Sequence, residues 1–307
     1  MPVVRPFLRR LAAGLGAAFL LIGPGPLPAP VSERPTPAAP VAAAFRLGAL
    51  TLVVLRDAGF VSPNDSSDFG INVGPAAVAA ALQAASAPTD RITLSVDALA
   101  IEAPGRIMLL DTGVGPSAGG VLMQSLALAR ISPADVTDVL ITHSHFDHVG
   151  GLLGPGGTSA FPKAAVWISA REWAWMKSGK EDRKLVAAIG PQVRPFEPGH
   201  EILPGVTPIA LYGHTPGHVG YLIRSGGRTL EDIGDIAHSS IASLAHPAWT
   251  EMDEDMAAGA ATRVRELTRL AAARKLIFAP HFPFPGIGWI VAGGQGFRWR
   301  PDPAVGR

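Results

Sequence analysis

Residues Ile141-Thr142-His143-Ser144-His145-Phe146-Asp147-His148-Val149-Gly150 constrain this chain more than any other stretch. Three histidines and one aspartate fall within six positions, directly after the apolar run Val139-Leu140-Ile141. That run reads as a buried strand, and the polar cluster begins where the strand ends. His143 and His145 are two apart, so an extended backbone projects them the same way. Asp147 and His148 follow where a turn brings them round to face the first pair. Imidazole nitrogen and carboxylate oxygen together suit zinc and similar first-row ions. The chain has 9 histidines in 307 residues, so three in this cluster are not a product of composition. A metal site at the tip of a strand is the expectation.

The N-terminal 44 residues read differently from the rest. Arg5, Arg9 and Arg10 make a basic start, Leu11 to Ile22 is apolar, and Gly23-Pro24 ends the run. It is shorter than the roughly 20 residues a bilayer span needs but fits the core of a signal peptide. A Pro/Ala-rich stretch follows, with small-residue cleavage options at Leu27-Pro28-Ala29 or Ala42-Ala43-Ala44. The expectation is a leader over 1–44 and a folded domain over 45–307, exported to a periplasm or secreted. The paired Arg9-Arg10 suggests a twin-arginine route. No later run is apolar and long enough for a membrane helix. A formal net charge of +1 gives no reason to expect nucleic acid. The absence of cysteine excludes disulfides, thiolate ligands and a cysteine nucleophile.

From Phe45 onward the chain alternates strands and helices. Ala49 to Leu55 reads as a first strand, Asn64 to Asn72 as a loop, and Val73 to Ala87 as a helix or loop cover. Leu94 to Ala103 and Arg106 to Leu110 flank Pro104-Gly105 as a hairpin. A glycine-rich loop, Gly113 to Gly120, leads into a helical run from Val121 to Ala129. Ser132-Pro133 reads as a cap and first turn. After Gly151, Ala164 to Ile168 is a strand, and Ser169 with Glu172 forms a capping box for the next helix. Val206 to Leu211 is a strand, and Tyr221 to Ile233 a second hairpin. Met256 to Arg274 reads as a helix with Val264, Leu267 and Leu270 on one face, followed by a strand over Leu276 to Ala279. Hairpins in both halves argue for mixed or antiparallel sheets.

The same event recurs four times. A short apolar strand ends, and a histidine or aspartate sits at its tip: His143, His214, Asp235 and His281. Each alone reads as a loop or turn residue. Together they describe one edge of a layered fold on which a rigid scaffold holds ligands.

In this order, His143-Ser144-His145-Phe146-Asp147-His148, then Gly213-His214-Thr215-Pro216-Gly217-His218, then Gly234-Asp235, then His281 resemble the metallo-β-lactamase fold superfamily. The resemblance covers about residue 45 to the end. It implies a four-layer αββα sandwich, two mixed β-sheets with helices outside and the site at one edge. By the same resemblance His143, His145 and His214 hold one metal. Asp147, His148 and His281 hold a second, and Asp235 bridges the two. Asp111, at the end of an early strand, and His218 then support ligands rather than bind metal. Two divalent ions are implied, zinc by default, with manganese, cobalt and iron compatible.

Pro280 to Gly288 is similar to the segment around the last ligand in methyl parathion hydrolase and its exported relatives. Quorum-quenching N-acyl homoserine lactonases share the ligand set. Some of those carry a tyrosine three residues after the bridging aspartate, where this chain has His238. That histidine either donates to a substrate oxygen or lines the pocket. Two positions depart from the relatives. Trp289 stands where histidine is common, and Glu231-Asp232 precede Asp235 where a buried strand is normally apolar. Either that strand is exposed or the carboxylates are neutralised nearby.

The implied chemistry is hydrolysis of an ester-like bond. Paired metals supply hydroxide near neutral pH and stabilise charge developing on the substrate oxygen, with Asp147 and Asp235 holding the metals and Asp235 relaying a proton. A lactone or a phosphotriester is the leading small-molecule substrate. Phe146, Phe282 and Trp289 are the expected pocket wall, with Trp173, Trp175 and Phe284 further candidates. The other readings are a thioester hydrolase, an iron-dependent persulfide dioxygenase, a β-lactamase and a non-catalytic metal-binding protein. Aspartate at 235 disfavours the β-lactamase, and the complete ligand set disfavours the non-catalytic protein. A homodimer is compatible with any of them.

Overall fold

Strand β2 (Leu50–Pro63) shows why the fold needs four layers. Its residues Leu52 and Val54 belong to one buried cluster, while Val53 and Leu55 belong to another. Neighbouring side chains on a strand point to opposite faces, so this sheet is covered on both sides. In the computed structural model, which describes residues 35–180 and 183–305, a 7-stranded sheet runs β1-β2-β3-β4-β5-β6-β7 in order. Its other members are β1 (Ala42–Leu47), β3 (Arg91–Ala103), β4 (Arg106–Leu110), β5 (Asp138–Leu140), β6 (Ala165–Ser169) and β7 (Val193–Phe196). The first four strands pair antiparallel, and β4 to β7 pair parallel.

A 6-stranded sheet faces it, in the order β13-β12-β11-β10-β9-β8. It comprises β8 (Val206–Ala210), β9 (Val219–Ser225), β10 (Arg228–Asp232), β11 (Leu276–Phe278), β12 (Ile287–Gly293) and β13 (Gly296–Pro301). Only β10 and β11 pair parallel. Leu52, Leu99, Ile101, Met108 and Leu110 from the first sheet meet Val206, Tyr221, Ile223, Leu230 and Ile287 from the second.

Helices close the outer faces. Helix α2 (Leu122–Leu128) and helix α5 (Arg183–Ile189) cover the first sheet through Leu122, Leu126, Leu185 and Ile189. The longest helix, α7 (Met256–Ala273), covers the second through Leu267 and Leu270. Helix α1 (Pro75–Ala84) packs Val78 and Leu82 on the ends of β2 and β3. The short helices are α3 (Phe146–Val149), α4 (Ala170–Trp175) and α6 (Ala242–Ala245). This is the αββα sandwich of two mixed sheets that the sequence implied. Among the described residues no helix is long and apolar enough to cross a membrane.

Several expectations change. Strand β1 begins at Ala42 and pairs with Leu50 to Leu55, so residues 42–44 lie in the sheet. Cleavage at Ala42-Ala43-Ala44 would cut that strand, and Thr36 already bridges to Gly59. The basic start, the apolar run, Arg9-Arg10 and Leu27-Pro28-Ala29 lie outside the described residues. Val264 is exposed, because its place on α7 is turned away from the face that buries Leu267 and Leu270. Arg263 and Glu266 take the buried positions instead.

Glu231 and Asp232 sit in the interior of the second sheet, between β9 and β11. Glu231 is neutralised by Arg269 of α7, which also pairs with Glu266. Asp232 is handled differently. One oxygen accepts the Gly234 N–H at 3.0 Å and the other has no partner. Burial, with Asp111 nearby, pushes its carboxyl well above the usual range.

Candidate metal centre

The ends of the parallel strands converge at one edge of the sandwich. Asp111 follows β4, His143 follows β5, Asp235 follows β10 and His281 follows β11. Carboxyl ends of parallel strands are where open α/β sheets place their ligands. His214 and His218 arrive from the loop between β8 and β9. The sheets are joined directly here. The N–H groups of Ser95 and Asp97 on β3 donate to the carbonyls of His281 and Pro280, each at 3.1 Å. On β9, Val219 N–H donates to Thr142 O at 3.0 Å, and the Tyr221 hydroxyl donates to Ile141 O at 2.8 Å.

Asp235 Oδ2 is the centre of the cluster. It lies 3.6 Å from His143 Nε2, 3.2 Å from His148 Nε2, 3.4 Å from His214 Nε2, 3.3 Å from His238 Nε2 and 3.1 Å from His281 Nε2. His143, His145 and His214 form one group whose candidate ligand atoms lie within 4.8 Å of one another, and Asp147, His148 and His281 form a second. His143, His148 and Asp235 form a third such group, and His214, Asp235 and His238 a fourth. Within the first, His145 Nδ1 is 3.1 Å from His143 Nε2 and 2.9 Å from His214 Nε2. In the second, His148 Nε2 and His281 Nε2 are 3.3 Å apart. Nitrogens 2.0–2.1 Å from a tetrahedral zinc are separated by about 3.3 Å. The spacing therefore fits ligands around a cation.

The tautomers point the same way. His148 Nδ1–H donates to Asp111 Oδ2 at 2.8 Å, His214 Nδ1–H to Asp253 Oδ1 at 3.1 Å, and His281 Nδ1–H to Ser95 O at 2.7 Å. His143 Nδ1–H donates to the Thr142 hydroxyl at 3.0 Å, which itself donates to Asp111 Oδ2 at 2.7 Å. Each acceptor fixes the ring with Nε2 turned inward, as metal-binding histidines require. Asp235 Oδ1 is buried without a partner, a place where a cation is wanted. Burial, reinforced by neighbouring histidines, holds His143 and His214 well below the usual histidine pKa. Burial also works against charge on His148, but Asp235, Asp147 and Asp111 outweigh it and raise that ring well above 6.5. Burial likewise works against charge on Asp235, yet His148, His281, His143 and His238 hold it well below the usual carboxylate range.

His218 supports Asp235 through the main chain. Its Nδ1–H donates to Leu211 O at 3.0 Å, and its Nε2 accepts the Asp235 N–H at 3.0 Å. Burial pulls its pKa down to about 4, consistent with the neutral ring this pattern needs. Gly234 must be glycine, since its φ is +45° and a Cβ would collide with His218 Nε2.

His238 faces Asp235 with Nε2 and donates Nδ1–H to Glu251 Oε2 at 3.1 Å. Burial opposes its charge, but Asp235 and Glu251 prevail and push its pKa up to about 10.

The expected pocket wall divides. Phe146 is 42% exposed and stands edge-on to Phe60, with ring centroids 5.9 Å apart. Trp175 stands edge-on to His145 at 6.0 Å. Phe282 is 0% exposed and packs on Trp299 within the buried cluster that α7 covers. Trp289 pairs with Leu276, at the far end of β11 from His281, and its ring lies under Arg300. Neither is brought together with the ligands. Trp173 packs on the core of the first sheet, and Phe284 lies under the Arg56 guanidinium.

Four supporting residues carried no local signal. Ser169 caps α4 as expected, accepting the Glu172 N–H at 3.0 Å, but the Glu172 carboxylate does not complete a capping box. Oε1 accepts the Ser144 N–H and hydroxyl, and Oε2 accepts the Thr215 hydroxyl and Gly217 N–H. One buried carboxylate thus clamps both histidine loops. Glu251, Asp253 and Arg263 lie behind His238 and His214.

The comparisons with known proteins agree with this geometry. A family model described as the metallo-beta-lactamase superfamily matches residues 91–273. The metallo-beta-lactamase domain-containing protein 1 of Mus musculus is 32% identical over 166 residues, 52% of this chain and 55% of that protein. An N-acyl homoserine lactonase of a Bacillus sp is 24% identical over 160 residues, 45% of this chain and 62% of that protein. The chain thus spans a little over half the length of these curated relatives. The solved structure of AidC, a dizinc quorum-quenching lactonase in complex with its product, superposes with a TM-score of 0.80 and 27% identity, covering 86% of this chain and 98% of that one. With the family model matching more than half of its length, the chain belongs to the metallo-beta-lactamase superfamily.

Proposed function

We propose that this protein is a binuclear metal-dependent hydrolase of ester-like bonds, with a lactone of the N-acyl homoserine type as the leading substrate and a phosphotriester as the second. The observation that carries the reading is the Asp235 carboxylate, set between two ligand groups with one oxygen within 3.6 Å of five imidazole nitrogens. That central place supports the reading of Asp235 as a bridging ligand. His143, His145 and His214 would hold one ion, Asp147, His148 and His281 the other. Bound there, the pair would supply a hydroxide nucleophile at neutral pH and would withdraw charge from the substrate oxygen.

The remaining steps fall to side chains of this chain. Asp235 takes the proton released by the nucleophile and relays it to the leaving oxygen as the ester bond to that oxygen breaks. His238, fixed by Glu251, directs Nε2 at the same centre and donates to the oxygen that gains charge. Phe146, exposed beside Asp147, and Trp175, edge-on to His145, offer an apolar face to the substrate's tail. The likeness to a quorum-quenching lactonase supports the lactone, and the ligand set alone accommodates either ester. The basic and apolar leader supports export, which cell fractionation with N-terminal sequencing of the mature chain tests.

The deciding experiment presents N-acyl homoserine lactones and methyl parathion to the metal-loaded protein, each with a chelator control. Chelator-sensitive turnover of the lactone is expected. Metal-loaded protein that leaves both substrates intact would overturn the reading.

A further inference from the structure

Arg263 is 0% exposed, the largest fully buried side chain among the described residues. It sits on α7, and its hydrogen bonds go to the residue after Asp235 and to the loop that carries Glu251 and Asp253. Nε–H donates to the carbonyl of Ile236, the residue after Asp235, at 2.7 Å. One terminal amine donates to Trp249 O at 2.8 Å and, more weakly, to Pro247 O at 3.4 Å. The other donates to Asp253 Oδ2 at 2.8 Å and lies 3.5 Å from Glu251 Oε2. The far side of Asp253 holds His214 Nδ1–H at 3.1 Å, and the same Glu251 oxygen holds His238 Nδ1–H at 3.1 Å.

We propose that Arg263 is a positioning residue of the metal centre, fixing His214 through Asp253 and His238 through Glu251. The planar fork is what the geometry calls for. A guanidinium presents donors in several fixed directions, whereas an ammonium acts as a point charge. Its burial beside the carboxylates of Asp253, at 2.8 Å, and Glu251, at 3.5 Å, sets charge against charge, since a buried charge is tolerated only when paired. Acceptors behind metal-binding histidines set ring orientation and basicity. Arg263 sets the acceptors. It touches neither a ligand nor the substrate's place, so its effect passes through the two carboxylates. The inference rests on the reading of this cluster as a metal site, but its test needs no substrate.

Arg263→Lys is the test variant. In the metal-free protein, ¹⁵N imidazole spectra are expected to show changed signals for His214 and His238. His148 and His281, held by Asp111 and Ser95, serve as internal controls and keep theirs. Titration with cobalt is expected to show affinity for one site falling about 10–100-fold, the loss typical of a disturbed supporting partner, while the second site is little changed. Combining Arg263→Lys with Asp253→Asn is expected to cost less than the sum of the two, because they act on one chain of contacts. Unchanged histidine spectra, equal disturbance of all four rings, or additive losses would each overturn the proposal. If Arg263→Lys does not fold, Asp253→Asn and Glu251→Gln replace it. Their effects on cobalt affinity are then expected to be non-additive through the shared guanidinium, and strict additivity would overturn it.

Discussion

Glu172 Oε1 accepts both the main-chain N–H of Ser144, at 2.8 Å, and its hydroxyl, at 2.7 Å. Ser144 lies between two candidate ligands, and the other Glu172 oxygen holds Thr215 and Gly217 on either side of Pro216. A glutamine has one acceptor oxygen and presents two N–H donors to groups that are themselves donors. Glu172→Gln is therefore expected to destabilise the protein by about 2–4 kcal/mol, the scale of losing charge-assisted hydrogen bonds in a buried setting. Thermal unfolding of the metal-free variant and parent measures this, and equal midpoints would refute it.

Removal of a ligand should act on metal and activity together. His214→Ala takes away one nitrogen of the His143–His145–His214 group and leaves Asp253 Oδ1 without its imidazole donor. Bound metal is expected to fall by about one ion per chain, and turnover by at least about 10²-fold, the range that loss of an electrostatic stabiliser produces. Metal analysis and kinetics on the same sample check both.

Asp111 tests the supporting layer. Its carboxylate holds His148 directly and His143 through the Thr142 hydroxyl. Asp111→Asn retains the shape but loses the charge. Metal affinity is expected to drop about 10–100-fold, measured by competition with a chelator, with the fold intact by circular dichroism.

The two phenylalanines should separate cleanly. Phe146→Ala removes an exposed ring beside Asp147, and is expected to raise KM for a long-chain lactone by about 10-fold, the worth of a few methylenes in an apolar pocket, with kcat little changed. Phe282→Ala opens a cavity beneath α7 and is expected to cost about 3–5 kcal/mol of stability without a selective effect on KM. Kinetics and denaturant unfolding on both variants make the comparison.

Asp97 gives the fold a pH dependence of definite sign. Burial raises its carboxyl well above 3.8, against the Ser95 hydrogen bond and Arg56, and one oxygen has no partner. The folded state then holds this proton more tightly than the unfolded state does. Its contribution to stability is full below the unfolded pKa near 3.8, falls as pH rises toward the folded pKa, and is level above that. The stability of Asp97→Asn relative to the parent is thus expected to increase with pH across this window. Urea unfolding of both metal-free proteins at a series of pH values reads it, and a constant difference would contradict it.

The candidate ligands were legible in the sequence because they cluster in short runs, such as His143 to His148, that follow apolar strands. The paired strands flanking Pro104-Gly105 and Ser225-Gly226-Gly227 were legible for the same local reason. The supporting layer was not. Glu172 finds Ser144 and Thr215 at separations of 28 and 43 residues, and Arg263 finds Ile236 at 27. Only the folded topology reveals such pairings, and Glu172 also had a plausible local role as half of a capping box. Strand β1 was hidden by the alanine-rich sequence before Phe45. The expectation that Phe282, in the turn after β11, and Trp289, on β12, wall the pocket rests on nearness along the chain to His281, which does not say which side of the fold a residue faces.

The junction of the two sheets at this edge gives a bound cation a role apart from chemistry. His145 and His214 are 69 residues apart, and His148 and His281 are 133 apart, yet each pair meets within a few ångströms. The chain has no cysteine with which to staple such distant segments. An ion seated among these nitrogens would act as that staple, holding two long loops closed in the folded state and adding its binding free energy to the free energy of folding. Metal loading would then set how long the folded protein survives as well as whether it turns over.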